Sequence, residues 1–467
     1  MKKSAAAAIC TVLSIPCMLG VILCASMLEQ PGVGNYLLTG GGMLVFIALS
    51  MILLRCEKVS ISSVLIMLLP ISIAMLIRVL CLDYASLDYQ DFLSRWYVYF
   101  RENGGFKAMA GSIGDYNVPY LYFMAAISYL DLSDLYLIKM FSVLFDVLLA
   151  WGGFRLARVL RGERQRDPVP LIAFAVLLFL PTVVLNGAYW GQCDGLYGAL
   201  VFHALAQVLA GKNKSSVVLL AIAFSFKLQT VFLIPLWGVL WLAKKVKFWE
   251  LLLFPVTYIV TIVPALLMGK PLGDILGVYF NQMDEYSYRL TLNAPSVFQF
   301  IPYGVEVNDK LLAKLGIIAA FVLVLALLIL GICLHKRMNV RIAMAMAAVM
   351  AIGIPFLLPH MHERYFFLAD VICVCWACVS LRNLPAAVLA AGSSLASYIV
   401  YLRLLYNGFL KIGPYYFVMG WEALAMLAAL LISIVMLILE ICKRGERNEV
   451  PVMECERPAS LPEEGLS

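Results

Sequence analysis

The sequence has few charged residues and no long polar segment. Only 14% of its 467 residues are Asp, Glu, Lys or Arg, whereas 63% are hydrophobic and the mean hydropathy is +0.91. Soluble domains are about half apolar and about a quarter charged, so a soluble domain of any size is excluded. The net charge of +6 resides in short loops between apolar runs and does not indicate a nucleic-acid partner. The composition predicts an all-α, polytopic membrane protein, because backbone in lipid must satisfy its own hydrogen bonds.

Metal-ligand patterns and internal repeats are also scarce. The chain has four histidines, and its 12 cysteines are scattered, mostly inside apolar runs, without paired metal spacing. In such runs cysteine behaves as a small hydrophobic residue. No clear internal repeat is present, which weighs against transporters built from two related halves.

Apolar runs predict about fourteen membrane spans in a helical bundle. Lys and Arg cluster in alternate loops, which predicts a cell-membrane protein with both termini in the cytoplasm. The first apolar run is longer than the core of a signal peptide, so we expect it to remain as an anchor. The expected spans are 4–26, 36–54, 61–81, 134–158, 169–187, 194–210, 214–227, 229–243, 248–268, 312–334, 342–358, 364–381, 385–405 and 415–440.

The spans divide the chain into three regions. Residues 1–60 form an extra N-terminal transmembrane hairpin, 61–440 form the main transmembrane domain, and 441–467 form a cytoplasmic tail that we expect to be disordered. The first outer loop is long and carries two interfacial helices. The apolar segment 119–132 is too short to cross a membrane, and 92–103 mixes aromatic residues with arginines, as amphipathic surface helices do.

Polar clusters from distant parts of the chain fall on the outer face in this topology. They are the first outer loop, YWGQCD at 189–194, FKLQ at 226–229 and PHMHERYF at 359–366, and a longer outer loop covers about 269–310. Polar groups that share one membrane depth predict a single site on the outer face.

Asp88 and Asp91 lie just outside the third span. A carboxylate beside an apolar wall can act as a general base, and here it would deprotonate an acceptor hydroxyl that attacks a sugar carbon. Two alternatives stay open: solvated loop charges, or a pair of oxygen ligands for a metal, because residues three apart share a helix face. Asp88 is the catalytic candidate, and Asp91 and Arg95 are substrate-binding candidates.

Two further clusters supply polar groups for a substrate. Asp115 and Tyr116 precede the first surface helix, and Asp115 would either bind a sugar hydroxyl or cap that helix. Trp190 fits an aromatic belt. Gln192 and Asp194 do not, because polar groups at such depth need a partner or a ligand.

Lys227 and Gln229 interrupt an otherwise apolar pair of helices. Lys227 would either extend to the membrane interface or offer a point charge to a phosphate.

The segment 359–366 concentrates His360, His362, Glu363 and Arg364 at a span junction. Zinc is one alternative, but two histidines separated by one residue do not share a helix face and no third ligand is obvious. A structural pair between Glu363 and Arg364 is another. The preferred interpretation is a set of donors for a phosphate leaving group, where charge develops during the reaction.

The ordered set of segments resembles GT-C-type integral-membrane glycosyltransferases, in particular bacterial Gpi18-related mannosyltransferases. The matching segments are DYQDFLSRW at 88–96, GDYNVPYLY at 114–122, FDVLLAWGGFRLAR at 145–158, YWGQCDGLY at 189–197, FKLQTVFLIP at 226–235 and MHERYF at 361–366. The chain departs from the family in having two extra spans before the helix that leads into the acidic loop.

The resemblance implies an inverting hexosyltransferase whose donor sugar, such as mannose, is carried on a polyprenyl or dolichyl phosphate. The resemblance also implies transfer on the outer face. We expect the acceptor to be a glycan, a lipid or a protein, and we expect no metal cofactor. Asp88 matches the family's base, and the segment around Arg364 would lie near the donor phosphate. Two other hypotheses remain: a transporter or flippase of lipid-linked glycans, and a scaffold with a degenerate site.

Overall fold

The computed structural model describes residues 2–162, 164, 166–285, 289–301, 305–404 and 415–443. Over these residues the chain is almost entirely helical, with one pair of two-residue strands. The expected all-α membrane bundle is therefore confirmed at the level of its architecture. The predicted disorder of the tail 441–467 falls mainly on residues 444–467, which lie outside the described part of the chain.

Twenty α-helices form over the described residues. The first ten are α1 Lys2–Ser26, α2 Val33–Tyr36, α3 Gly42–Cys56, α4 Ile61–Val79, α5 Ser94–Glu102, α6 Val118–Ile127, α7 Asp134–Leu160, α8 Val169–Phe179, α9 Pro181–Val184 and α10 Asp194–Leu209. The other ten are α11 Asn213–Phe226, α12 Ile234–Leu242, α13 Phe248–Leu251, α14 Leu253–Leu267, α15 Leu272–Glu285, α16 Asp309–Cys333, α17 Val340–Leu357, α18 Phe367–Val379, α19 Leu384–Tyr401 and α20 Tyr415–Cys442. The two strands are β1 Thr291–Leu292 and β2 Met361–His362.

Short helical turns of other types join these helices. The π-helical turns are Leu37–Gly41, Tyr89–Leu93 and Leu185–Trp190, and the 3₁₀ turns are Gly105–Ala110, Leu228–Phe232, Val297–Phe300, Glu363–Phe366 and Leu381–Asn383. π-Helical turns widen a helix locally and are frequent at functional sites. Two of the three adjoin Asp88 and Gln192.

Nine of the helical stretches in the described residues are long and apolar enough to cross a membrane, or ten if the bent pair formed by 169–179 and 181–190 is one span. Every predicted span coincides with a helical stretch. However, α10, α11 and α18 have only 16, 14 and 13 residues, against about 20 for a full crossing. The count of fourteen therefore stays a prediction.

The segment between α4 and α7, predicted as the first outer loop, folds as a small helical unit with its own core. The segment predicted from 119 to 132 forms α6, which has 10 residues and is capped by the side chain of Asn117. The amphipathic segment forms α5, and its Trp96 and Phe100 are buried with Tyr120 and Met124 of α6. This unit covers one end of the bundle.

A buried ion pair ties two long helices of the bundle together. Arg78 of α4 donates to Asp146 of α7 at 2.9 Å, and both side chains are buried. Gly187 and Gly195 lie against the Asp146 carboxylate. A Cβ added at Gly187 would lie 3.0 Å from one carboxylate oxygen, and a Cβ added at Gly195 would lie 2.9 Å from the other. The small residues let the π-helical turn before Gly191 and the start of α10 approach α7 closely.

Candidate functional site

A lysine fixes the chain that leads to Asp88. Lys139, buried in α7, donates to the carbonyl oxygens of Cys81, Leu82 and Tyr84 at 2.9, 3.0 and 2.7 Å. These carbonyls follow the end of α4 and would otherwise lack helical partners. The lysine thereby holds the turn that carries Asp88 out of the helix.

Four donors from three parts of the chain surround the Asp88 carboxylate. Oδ2 accepts from Trp190 at 3.1 Å, from Gln192 at 2.5 Å and from Arg364 at 3.2 Å. Oδ1 accepts from the hydroxyl of Tyr401 at 2.7 Å. The carboxylate is mostly buried, with 14% of its side chain exposed, so its position is tightly defined.

Lys227 and Asp194 form a second, fully buried ion pair. Their side chains are 4% and 0% exposed. Asn186 supports the pair, because its amide donates to Asp194 Oδ2 at 2.7 Å and its oxygen accepts from the Asp194 backbone at 3.2 Å. The Lys227 ammonium also lies 5.4 Å from the ring centre of Tyr116, which is cation–π distance.

The residues around these pairs enclose a cavity of about 300 Å³. Its ionisable lining consists of three basic and three acidic residues, together with tyrosines and one histidine. The polar and aromatic residues of this lining include Asp88, Asp115, Tyr116, Gln192, Lys227, Gln229, Tyr279, Arg289, Asn293, His362, Glu363, Arg364, Tyr365 and Tyr401. A cavity of this size is large enough for a small-molecule ligand.

A short parallel strand pair brings the segment 359–366 to the cavity. Thr291 pairs with Met361 and Leu292 with His362, and the backbone nitrogen of His360 donates to the Leu290 carbonyl at 2.8 Å. His360 has a positive φ of 62°, which turns the chain into this pairing.

Burial sets the protonation of two groups on this segment. Burial raises the pKa of Glu363 to about 7, although the Arg364 charge opposes the shift. Burial also lowers the pKa of His362 well below its usual value, and the positive charges of Arg364 and Lys227 add to that effect. His362 is therefore a neutral imidazole at pH 7, and Glu363 titrates near neutrality.

Asp115 and Tyr116 separate the main cavity from a smaller one of about 180 Å³. Tyr116 donates to Gln192 at 3.1 Å, which links the outer loop to the Asp88 cluster. Burial raises the pKa of Asp115. Lys270 and Asp274 line the smaller cavity on its far side.

Most residues predicted for the site line the main cavity, and the rest occupy three other environments. Trp190 and Asp194 lie behind the lining, where they hold Asp88 and Lys227 respectively. Asp91 and Arg95 form an exposed ion pair at 3.3 Å and do not line the cavity. The residues predicted for the site that do line the cavity are Asp88, Asp115, Tyr116, Gln192, Lys227, Gln229, His362, Glu363 and Arg364.

His360 also lies outside the main cavity lining, where its ring contacts the backbone oxygen of Arg289 at 2.5 Å. In the segment predicted as the outer loop 269–310, Arg289 lines the main cavity and Asp274 the smaller one. The side chains of Asp284 and Glu285, and all of Tyr286, lie outside the described residues.

Sequence reasoning missed three polar residues that support Asp88 and Asp194. Tyr401 donates to Asp88, Asn186 to Asp194, and Asn186 also donates to the Tyr398 hydroxyl at 3.2 Å. Both tyrosines lie at the end of α19 that the predicted topology puts on the outer face. They therefore share their predicted membrane depth with the polar clusters of the site, and this was the signal in the sequence that could have identified them.

No group of three or more His, Cys, Asp or Glu suited to a metal ion occurs among the described residues. The two metal alternatives weighed from the sequence thus find no ligand set in this part of the chain. Asp88 and Asp91 also face different surroundings, since only Asp88 reaches the cavity.

No protein-family model matches this chain, and a comparison with curated proteins finds no significant match. The geometry of the site therefore carries the functional argument.

Proposed function

We propose that the protein is an inverting, membrane-embedded glycosyltransferase that uses a sugar carried on a lipid phosphate. The observation that carries this proposal is the cavity in which the fixed carboxylate of Asp88 lies beside the basic side chains of Arg364 and Lys227. A base and a phosphate-binding cation in one partly buried cavity are the two functions that the reaction requires.

Asp88 would act as the general base. As the acceptor hydroxyl oxygen forms its bond to C1 of the sugar, its proton passes to Asp88 Oδ1. The C1–O bond to the phosphate breaks, and its electron pair leaves with the lipid phosphate. Among the described residues only Tyr401 donates to Oδ1. A carboxylate oxygen has two lone pairs, so Oδ1 can accept the proton while the donors on Oδ2 hold its position.

Arg364 would stabilise the departing phosphate. Its terminal nitrogen donates to Asp88, whereas its buried Nε has no hydrogen-bond partner among the described residues. A buried unpaired donor is costly, and a phosphate oxygen would satisfy it. Lys227 and Arg289, which line the same cavity, add positive charge where the leaving group develops its second negative charge.

Gln229 and Asp115 are suited to the sugar. The side-chain oxygen of Gln229 is buried and has no hydrogen-bond partner in the described part of the chain, so it can accept from a sugar hydroxyl. Asp115 lines both cavities and can contact donor and acceptor. The sugar and the acceptor class, whether glycan, lipid or protein, are not fixed by these contacts.

Reconstitution into liposomes tests the proposal against a lipid-linked glycan transporter. Liposomes would contain the protein, a polyprenyl-phosphate sugar labelled in the sugar, and a candidate acceptor on the side of the site. The proposal predicts a labelled glycoside and free lipid phosphate in equal amounts. Movement of intact labelled lipid between leaflets without a new glycosidic bond would favour a flippase and contradict transfer.

A further inference from the structure

A third polar cavity, also of about 180 Å³, lies far from the proposed catalytic site and is lined by basic residues. We call it the basic cavity. Its five basic residues are Arg161, Arg164, Arg341, Arg382 and Lys443. Glu440 is the one acidic residue among the described residues that line it.

The basic cavity lies at the opposite end of the bundle from Asp88. α19 runs from the basic cavity to Tyr401, which contacts Asp88. α17 likewise runs from Arg341 to the segment before β2. At 1.5 Å per residue, 18 helical residues span about 27 Å. The positive-inside pattern predicts that this end faces the cytoplasm.

The charge of the basic cavity is only partly neutralised by protein groups. Arg161 pairs with Asp167 at 2.6 Å, and Lys443 pairs with Glu440. Arg341 and Arg382 have no acidic partner among the described residues. Two arginines from different helices that share a concave surface without an acid are suited to an anion, because guanidinium groups bind phosphate oxygens in pairs.

A buried acceptor lies in the same lining. Asn383 is 2% exposed, and its amide donates to the Trp376 carbonyl at 3.3 Å. Its side-chain oxygen has no hydrogen-bond partner in the described part of the chain. A hydroxyl next to the bound anion would satisfy this oxygen.

We propose that the basic cavity binds a phosphate ester that carries a neighbouring hydroxyl, of the phosphoglycerol type. The arginines would bind the phosphate and Asn383 the hydroxyl. Such a group occurs in the headgroups of anionic membrane lipids and in soluble glycerol phosphates. Basic pockets between membrane helices on the cytoplasmic side are known to take anionic headgroups. This inference does not depend on glycosyl transfer at Asp88.

The test is a titration of the delipidated full-length protein in a neutral detergent, read by native mass spectrometry. Phosphatidylglycerol is the lipid probe, glycerol 1-phosphate the soluble probe, and phosphatidylcholine the zwitterionic comparison. We expect phosphatidylglycerol to bind more tightly than phosphatidylcholine. The double variant Arg341→Gln, Arg382→Gln should weaken it about tenfold or more, since each charged hydrogen bond contributes about that factor.

Matched variants distinguish binding at the basic cavity from nonspecific attraction of an anion to a positively charged surface. Lys212→Gln with Lys214→Gln removes two charges from the junction of α10 and α11, where Lys212 precedes α11 and Lys214 lies in its first turn. The junction is at the same end of the bundle but outside the basic cavity, so this variant should leave binding unchanged. Arg341→Lys with Arg382→Lys keeps the charge and should retain part of the affinity.

If glycerol 1-phosphate binds the wild type and loses affinity in the arginine variants as phosphatidylglycerol does, the site is supported and its ligand can be a soluble phosphate ester. The inference is overturned if neither probe responds to Arg341→Gln with Arg382→Gln, or if the lysine control weakens binding as much.

Discussion

Replacing Lys227 with methionine tests how the buried ion pair supports the site. Methionine keeps the length of the side chain but removes its charge. Among the described side chains, Asn186 is then the one that still donates to the buried Asp194 carboxylate. Removing one partner of a buried pair typically costs about 3–5 kcal/mol, because the remaining charge is uncompensated. Since the two side chains are 4% and 0% exposed, we expect Lys227→Met to fall in that range.

Denaturant unfolding in detergent micelles measures this cost. A double-mutant cycle with Asp194→Asn isolates the pair, and the double variant should be more stable than Lys227→Met alone by about 1–3 kcal/mol. Lys270→Met is the matched control, because Lys270 is also buried but donates to a backbone carbonyl, that of Gly111, at 2.8 Å. It should cost less than Lys227→Met, about 1.5–3 kcal/mol, because a carbonyl oxygen and not a buried charge loses its partner. A loss below 1 kcal/mol for Lys227→Met, with no coupling to Asp194, would refute the reasoning.

Three other predictions concern the groups around the site. Tyr401→Phe removes the hydrogen bond to Asp88 Oδ1 and should lower the initial rate of transfer about tenfold. Glu363→Gln should remove a pH dependence of stability. Because burial raises the pKa of Glu363 from 4.5 to about 7, the folded protein binds this proton more tightly than the unfolded chain. The free energy of unfolding therefore falls, by up to about 3 kcal/mol, as the pH rises from about 4.5 to about 7. Gly195→Ala should destabilise the fold by about 1–3 kcal/mol, because the new methyl group would lie 2.9 Å from Asp146.

Each of these predictions has its own control. Tyr401→Phe keeps the ring that stacks on Trp190 at 4.8 Å, so an unchanged rate would argue against a role for the hydroxyl. The free energy of unfolding of the wild type should be lower at pH 8 than at pH 5, whereas that of Glu363→Gln should change less. An equal change in the two proteins would contradict the buried-acid account. Gly392→Ala is the comparison for Gly195→Ala, since nothing lies within 4 Å of a Cβ at that position. Equal effects of the two alanines would remove the packing argument.

The helical architecture could be predicted from the sequence because lipid leaves the backbone few alternatives. Each apolar run forms a helix, and the segment 119–132 forms α6 with only 10 residues. The number of crossings could not be fixed. The bend between α8 and α9 and the short helices α10, α11 and α18 depend on packing against neighbours rather than on their own length.

The grouping of Asp88, Gln192, Lys227 and Arg364 could be anticipated from topology, because it needed only a shared membrane depth. Which carboxylate of the first loop faces the cavity could not. Asp88 and Asp91 are similar in sequence, but the π-helical turn after Asp88 changes the direction of the following side chains. Only the folded chain distinguishes them.

The pairing of Lys227 with Asp194 also could not be predicted from the sequence. Snorkelling to the interface and a free charge for phosphate were the two expectations for Lys227. The side chain is buried against an acid that is 33 positions away in the chain, and it also lines the cavity. The role in phosphate binding stays a prediction. Tyr401 was missed because its membrane depth alone does not distinguish a tyrosine of the aromatic belt from one that contacts a base.

The most direct test of the proposed mechanism compares Asp88→Asn with Asp91→Asn in a sugar-transfer assay on reconstituted protein. Asparagine keeps the shape of the side chain but cannot accept the proton, so Asp88→Asn should lower transfer by at least about a hundredfold. Asp91 lies three positions away in an exposed ion pair outside the cavity, and Asp91→Asn should transfer sugar at close to the wild-type rate. Full transfer by a folded Asp88→Asn variant would contradict the account.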